Sequence, residues 1–338
     1  MNESSAELRE RVAQYCASIG GDPLLVQGAG GNVSWKDGQV LHVKASGMWL
    51  AEAAAREIFV PVDLASLGDA LEAGNFEVKP QTLGESSLRP SIETLLHALM
   101  PQRIVMHLHA VEVLAHLVRG DAEDFLRERV GDQLSWAIVD YQKPGAALAQ
   151  AVYLALRRTP DAQVIFLRNH GVVVGAESIE QADEIIRELC QSLATPPLVS
   201  ETEHAVVAVD SGGGYCPVDD AAIHDLALRP ELFSRLEAEW ALYPDHVVFL
   251  GAAPELYRSE SEFLASRTAG MQPELAFVAG CGVFVRDTFN LAKTVQLRCY
   301  RDVMVRQPDP AQTSTLTPEQ VADLLDWDAE RYRMSLAK

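Results

Sequence analysis

Two histidines separated by a single residue, His107 and His109, are the side chains of this chain best suited to binding a metal ion. They end the apolar run 103–109, in which Ile104 and Val105 are β-branched, as is typical of a buried strand. Side chains alternate between the two faces of a strand, so both imidazoles are predicted to leave the same face. Taken alone, the motif is equally compatible with two core histidines whose ring nitrogens are satisfied.

A third histidine, His170, follows another predicted strand, at residues 164–167. It lies in the segment Arg168-Asn169-His170-Gly171, a glycine-flanked turn between two apolar runs. Three histidines that leave one coordination position open are the arrangement of catalytic rather than structural zinc. His170 would complete such a three-histidine site with His107 and His109.

A predicted anion site lies just before the histidine strand. Ser91 is a favourable helix N-cap, and we predict that the helix runs to Pro101. The free backbone N–H groups of its first turn, with Arg89 beside them, would attract an anion. Glu93 in the same turn either complements the helix dipole or takes part in the metal site.

Two segments nearer the N-terminus offer further contacts for an anion. Residues 28–34 combine three glycines with Asn32, and the next such segment presents the ammonium of Lys44, the hydroxyl of Ser46 and the unhindered backbone of Gly47. Glycine allows backbone N–H groups to approach an anion closely. A tight hairpin turn is the alternative for residues 28–34, whose spacing is not that of a dinucleotide-binding loop.

These motifs, in this order, resemble those of the class II aldolase/adducin family over roughly residues 5–200. Residues 31–34 are similar to the family's Gly-Asn-x-Ser motif, and residues 91–97 to its Ser-Ser-Glu-x-x-x-His segment. Residues 107–109 and 169–171 are similar to its His-x-His and distal His-Gly motifs. The resemblance implies an α/β fold, with a three-layer α/β/α class II aldolase-like domain and a smaller C-terminal α/β domain.

The resemblance also implies roles for individual residues. His107, His109 and His170 would bind one zinc ion per subunit, with another divalent metal as the alternative, and Glu93 would be the catalytic acid/base. Four residues would bind the phosphate end of the substrate: Asn32, Ser46, Gly47 and Ser91.

The sequence departs from the family pattern at Ile92, where the second serine of the Ser-Ser pair is replaced and one phosphate hydroxyl is lost. Lys44 and Arg89 are nearby cations that would compensate for this loss. For the acid at the aldehyde end of the substrate, Tyr141 is a candidate by position alone.

The implied reaction is a zinc-dependent aldolase cleavage. A ketose 1-phosphate would pass through a metal-stabilised ene-diolate to give dihydroxyacetone phosphate and an aldehyde. A metal-dependent decarboxylase, dehydratase or epimerase of a sugar or sugar acid phosphate also relies on metal stabilisation of an ene-diolate and remains an alternative. A non-enzymatic adducin-like scaffold is the alternative from another class, but such a scaffold needs no metal ligands.

We predict two domains, residues 1–200 for the metal-binding catalytic domain and residues 215–338 for the C-terminal domain, with a linker in the Pro- and Gly-rich stretch 194–220. One interpretation of the second domain is a degenerate copy of the first, with predicted strands at 247–250 and 275–285. In that alignment Leu250, Ala252 and Cys281 take the positions of the three histidines. The alternative is that both halves contain similar buried strands by chance.

Composition limits the partners. With 28 basic and 48 acidic residues, the net charge of −20 disfavours nucleic acid and anionic membranes, so a phosphate site needs local cations. Five cysteines without close pair spacing favour a reducing, cytoplasmic location, and no apolar run reaches membrane-spanning length. The family resemblance implies a homo-oligomer, a tetramer or dimer. The chain also resembles a longer branch of the family. In that branch the aldolase-type domain is sometimes fused to a short-chain dehydrogenase.

Overall fold

The computed structural model describes residues 4–199, 214–268, 270–308 and 312–336. The strands are β1 (Asn32–Asp37), β2 (Val40–Lys44), β3 (Phe59–Asp63), β4 (Ile104–Leu108), β5 (Trp136–Val139), β6 (Val164–Leu167), β7 (Gly171–Ala176), β8 (Tyr215–Pro217), β9 (Leu256–Tyr257), β10 (Leu275–Val278) and β11 (Gly282–Arg286). The helices are α1 (Ser5–Gly20), α2 (Leu64–Glu72), α3 (Thr94–Leu99), α4 (Val111–Leu117), α5 (Ala122–Arg129), α6 (Ala146–Arg158), α7 (Ile179–Ser192), α8 (Asp225–Leu228), α9 (Pro230–Phe233), α10 (Pro244–Leu250), α11 (Glu260–Thr268), α12 (Leu291–Met304), α13 (Pro318–Leu325) and α14 (Asp328–Ser335).

The chain divides into two compact units. The first unit consists of residues 1–194 together with 327–337, and the second unit of residues 195–326 with residue 338. The predicted boundary near residue 200 lies close to this division, but the C-terminal segment that we assigned to the second domain packs with the first unit. Residues 200–213 of the predicted linker lie outside the described residues.

Seven strands of the first unit form one mixed sheet in the order β3-β2-β1-β4-β7-β6-β5. All neighbours are antiparallel except β5 and β6, which are parallel and are joined through α6. Strand β4 is therefore central, with β1 on one side and β7 on the other. This order brings the end of β4 beside the start of β7, although the two strands are far apart in the chain.

Alternation along β4 separates two hydrophobic cores, one on each face of the sheet. Ile104, Met106 and Leu108 belong to the core that includes residues of α1 and α7. Val105 belongs to the opposite core, with residues of α3 and α6. Helices thus cover both faces, which confirms the predicted three-layer α/β/α domain. His107 shares the face of Val105, because successive residues of a strand point in opposite directions.

The second unit contains a four-stranded sheet in the order β8-β11-β10-β9. The prediction of a strand at 247–250 is wrong, because these residues end α10, which begins with Pro244 at its first position. Proline is favoured there, since the missing N–H has no partner in the first helical turn. Residues 275–285, predicted as strand, form the antiparallel hairpin of β10 and β11.

The second sheet repeats the strand pairing of one half of the first. Pairing is antiparallel, antiparallel and parallel in β4-β7-β6-β5, and it is the same in β8-β11-β10-β9. The two hairpin turns also match, since Asn169 and Gly280 both have positive φ, at 52° and 70°. Both donate their backbone N–H to the carbonyl of a preceding helix, α4 in one case and α8 in the other.

This repeat corrects the predicted positions in the second unit. Phe284 pairs with Pro217 where Val173 pairs with His107, so Pro217 and Asp219 occupy the positions of the first two histidines. They are not at Leu250 and Ala252, because the first strand of the repeat is β8. Cys281 does occupy the position of His170, at the end of the hairpin turn. None of these three replacement residues is an imidazole, so the repeat lacks the histidine set.

Candidate metal centre

The two histidines of β4 lie at the centre of the first sheet. His107 is paired with Asn32 of β1 on one side and with Val173 of β7 on the other, and its side chain is fully buried. His109, one residue beyond the strand, is 4% exposed. The ring centroids of His107 and His109 are 5.0 Å apart. The two rings therefore share one face, as strand alternation predicts.

The hairpin turn between β6 and β7 delivers His170 to the same place. The turn closes through a hydrogen bond from the His170 N–H to the carbonyl of Leu167. Asn169 adopts the left-handed conformation there, which asparagine tolerates better than most residues. The ring centroid of His170 is 4.8 Å from that of His107 and 5.4 Å from that of His109.

A buried carboxylate completes the cluster. Glu93 Oε1 lies 3.4 Å from His170 Nε2, and Glu93 Oε2 lies 3.6 Å from His107 Nε2. The side-chain amide of Asn32 donates to Oε2 at 2.8 Å, which fixes one edge of the carboxylate. Burial alone would raise the pKa of Glu93, but positive charge on the rings of His107, His170 and His109 outweighs burial and lowers the pKa to about 2. Glu93 is thus held as an anion facing the histidines.

The spacing of these atoms suits a divalent cation. One ring nitrogen of each histidine lies within 4.8 Å of the others. His107 Nε2 and His109 Nε2 are 3.2 Å apart, close to the ~3.4 Å edge of a tetrahedron with Zn–N bonds of about 2.0–2.1 Å. His107 Nδ1 donates to the carbonyl of Val172, so Nε2 is the ring nitrogen that would bind a metal. Lone pairs at this distance repel unless a cation or proton lies between them, and three imidazoles with one carboxylate are typical zinc ligands.

The residues predicted for the substrate's anion end are also gathered in the first unit. The Ser46 N–H donates to the carbonyl of Arg89, and the Ser91 N–H donates to the carbonyl of Lys44, so the two segments lie side by side. The Ser91 hydroxyl accepts a hydrogen bond from the Glu93 N–H at 3.2 Å, which links this region to the cluster of histidines and Glu93. Helix α3 begins only at Thr94, however, so Ser91 does not cap it as predicted.

Two predicted anion ligands have other partners. The Lys44 ammonium is 1% exposed and donates to the carbonyls of Ala29 and Met48, at 2.9 and 2.7 Å. It therefore braces two loops rather than projecting toward a ligand. The amide of Asn32 is directed to Glu93, so its contact in this structure is with the carboxylate and not with the anion region. Gly47 has φ of 78°, a conformation that glycine adopts without a steric penalty.

Some neighbours of the cluster were not assigned a role from the sequence. His97 is fully buried, and its Nδ1 lies 2.8 Å from the hydroxyl of Ser34. Burial lowers the pKa of His97 to about 3, so the ring is neutral. The α14 segment, whose Trp327 and Tyr332 lie against Lys143 and Arg89, could not be placed here from local pattern, because it reaches the first unit only through tertiary folding. Tyr141, two residues beyond β5, is half-buried.

The protein has an α/β fold, in which helices cover both faces of a central mixed sheet. It also has a candidate metal centre, the buried cluster of three histidines and one carboxylate. The sequence profile described as "Class II Aldolase and Adducin N-terminal domain" matches residues 10–195. The chain belongs to this family, which confirms the resemblance drawn from its motifs. The family match spans the histidines, Glu93 and the residues around Ser46 and Ser91.

Individual relatives share only a low sequence identity with this chain. The protein named uncharacterized oxidoreductase YuxG from Bacillus subtilis (strain 168) is 26% identical over 178 residues, which are 48% of this chain and only 25% of that relative. The N-terminal class II aldolase domain of a conserved Thermoplasma acidophilum protein is 25% identical with a TM-score of 0.47, covering 57% of this chain and 93% of that one. YgbL from Klebsiella pneumoniae, described with aldolase, epimerase and decarboxylase as alternatives, is 22% identical with a TM-score of 0.42, covering 57% and 89%. Among the described residues, none of the helices is both long and apolar enough to cross a membrane.

Proposed function

We propose that the protein is a zinc-dependent lyase that cleaves a phosphorylated sugar, a ketose 1-phosphate, to dihydroxyacetone phosphate and an aldehyde. The observation that carries the proposal is the convergence of His107, His109 and His170 with the buried carboxylate of Glu93. Membership of the class II aldolase and adducin family supports it. An adducin-like scaffold would have no use for a buried cluster of this composition, because leaving such groups unpaired costs free energy.

The three histidines would hold the metal. When bound, a divalent cation supplies Lewis acidity, which stabilises negative charge developing on the substrate's carbonyl and hydroxyl oxygens. The hydrogen bond from His107 to the Val172 carbonyl orients one ligand and fixes its tautomer. The strand pairing of β4 with β7 keeps the ligands from both strands at fixed separation.

Glu93 is the proposed acid/base. When the carbon–carbon bond breaks, the hydroxyl that becomes the aldehyde loses its proton and the carbon retained by the three-carbon fragment gains one. In synthesis both transfers run in reverse, so that carbon must lose its proton. Asn32 donates to Oε2 at 2.8 Å, whereas Oε1 accepts no hydrogen bond from any described residue. One carboxylate oxygen is therefore anchored, and the other is available to carry the proton.

The test is a screen of ketose 1-phosphates and ketonic acid phosphates with zinc supplied. The assay measures the release of dihydroxyacetone phosphate. We expect cleavage of a ketose 1-phosphate by the wild type. Glu93→Gln should retain zinc but lose turnover by several orders of magnitude, since the group that carries the proton to and from the reacting carbon is gone. Glu123→Gln, a control at an exposed ion pair on α5, should retain full activity.

Other outcomes would reassign the reaction. Carbon dioxide release from a ketonic acid phosphate would make the protein a decarboxylase, and inversion or loss of a hydroxyl without cleavage would make it an epimerase or dehydratase. Full activity in Glu93→Gln would place the base elsewhere. Stoichiometric zinc with no turnover of any compound would contradict the lyase proposal.

A further inference from the structure

The C-terminal segment places two aromatic rings against two cations of the first unit. The Lys143 ammonium lies 4.7 Å from the ring centroid of Trp327, just before α14. The Arg89 guanidinium carbon lies 4.1 Å from the ring centroid of Tyr332, within α14. Both distances fall within the range of cation–π attraction. One short segment therefore holds two basic side chains that are far apart in the sequence.

This segment also covers the loops proposed to receive the substrate's anion. A Cβ on Gly47 would lie 2.6 Å from Leu336 Cδ1, so the leucine rests directly against the glycine. A Cβ on Gly145 would lie 3.7 Å from the ring of Trp327 and 3.9 Å from the carbonyl oxygen of Ile92. Leu336 thus lies against the residue next to Ser46, and Trp327 lies against Gly145, which is itself a neighbour of Ile92.

The stacking leaves the in-plane hydrogen-bond donors of the Arg89 guanidinium available. An aromatic ring contacts the flat face of a guanidinium, whereas the five N–H donors lie in the plane of the group. Neither Arg89 nor Lys143 forms an ion pair with a carboxylate in the part of the chain that the structure describes. The protein has 48 acidic and 28 basic residues, so most cations have acidic groups available as partners. Two cations without an acidic partner beside one set of loops are therefore candidates for binding an anionic ligand.

We infer that Lys143, together with Arg89, binds the phosphate end of the substrate, and that Trp327 and Tyr332 position these two cations. The identity of the substrate, though not the phosphate site itself, rests on the function proposed above. Ile92 cannot donate a hydrogen bond where a serine hydroxyl would, and the two cations supply charge in its place. Trp327 and Tyr332 are positioning residues, because they act through the side chains they hold.

The direct test uses inorganic phosphate as the probe on the zinc-loaded full chain, with binding measured by titration calorimetry. Tyr332→Ala should raise the phosphate Kd by about two- to five-fold, the equivalent of an exposed cation–π contact. Tyr332→Phe keeps the ring and should bind like the wild type. Lys143→Gln should weaken binding more and reduce its dependence on salt, because a charge is lost.

A matched control exists on α6, where the Arg157 guanidinium carbon lies 5.9 Å from the ring centroid of Tyr153, away from these loops. Tyr153→Ala and Arg157→Gln should leave the phosphate Kd unchanged. Zinc content and circular dichroism of each variant confirm that the fold is intact. Unchanged phosphate binding in both Tyr332→Ala and Lys143→Gln would overturn the inference, as would the absence of phosphate binding by the wild type.

Turnover gives a second readout that a purely structural role would not produce. With a phosphorylated substrate, Tyr332→Ala should raise KM and leave kcat unchanged, and Tyr332→Phe should restore KM. Equal loss of kcat with phosphorylated and unphosphorylated substrates would show that the segment only stabilises the fold, and would overturn the positioning role. Failure of the lyase proposal would instead appear as absence of cleavage by the wild type, with the phosphate titrations unaffected.

Discussion

Gly171, the residue between His170 and the rest of β7, lies where three parts of the metal centre come together. A Cβ at this position would lie 2.5 Å from the carbonyl oxygen of Leu108, 3.0 Å from Cδ2 of His109 and 3.2 Å from Cε1 of His107. Its φ is not among the positive values of the described residues, so alanine can adopt its backbone conformation without strain. The effect of Gly171→Ala is therefore purely steric.

The size of the effect follows from these contacts. Ordinary contact begins at 3.4 Å, so the new methyl group would be 0.9 Å too close to Leu108. That atom belongs to the backbone of β4, which is paired with β7, so the clash is relieved only by moving the two strands apart. Overpacking of this kind costs roughly 1–3 kcal/mol. Because both imidazole rings must also shift, we expect zinc affinity to fall by about 10- to 100-fold, as when groups that orient metal ligands are changed.

Gly175→Ala is a control on the same strand. Its Cβ would lie 2.2 Å from Gln102 Oε1, the end of a flexible side chain that can rotate away. The variant would lose the hydrogen bond from the Gln102 amide to the Ala162 carbonyl, at a cost of about 1 kcal/mol. It should therefore be destabilised without any change in zinc affinity.

The assay combines zinc content after dialysis, a competition titration against a chromogenic chelator, and thermal unfolding of both variants. Gly171→Ala should lose both stability and zinc affinity, and Gly175→Ala should lose stability alone. Wild-type zinc affinity in Gly171→Ala would refute the assignment of this cluster as the metal centre. Equal weakening in both variants would mean that zinc affinity merely follows overall stability.

Three further perturbations can be tested alongside it. His109→Ala should abolish stoichiometric zinc binding, and full zinc occupancy by elemental analysis would remove His109 from the ligand set. Arg89→Ala should raise KM for phosphorylated substrates and hardly affect unphosphorylated ones, whereas equal effects on both would make the arginine structural. In the second unit, burial lowers the pKa of His246 to about 3 from 6.5, so the unfolded chain takes up the proton first as the pH falls. Acidification from about pH 7 to about pH 5 should therefore cost the wild type about 2 kcal/mol through this group. His246→Phe should show a smaller loss by denaturant unfolding, and an identical pH dependence would contradict this.

Much of the candidate metal centre was predictable because it depends on local rules. The spacing of His107 and His109 places them on one face of any strand, whatever the strand pairs with. The turn at 168–171 could be recognised from its Asn-His-Gly residues between two apolar runs. The family's motif order then joined these segments to Glu93, and the structure brings all four side chains together.

Local rules failed where a short segment is compatible with two structures. Residues 247–250 are apolar and partly β-branched, and a buried strand and a buried helix look alike over so few residues. Lys44 was proposed from the sequence as a cation near the phosphate end, and local pattern does not give the partners of its ammonium. In the structure it donates to two backbone carbonyls in the interior, on loops that the local sequence does not bring together.

The sequence by itself determined which residues can do chemistry and which of them share a face of a strand, since both follow from residue type and from the two-residue period of a strand. Only the tertiary structure decided which strands are neighbours. The order β1-β4-β7 sets Asn32 beside His107 and brings the turn that carries His170 to the end of β4, and β8 rather than residues 247–250 begins the repeat in the second unit. It also decided that Tyr332, from the other end of the chain, stacks on Arg89. Such pairings reflect the burial of complementary surfaces across the whole domain, and no short window of sequence contains both partners.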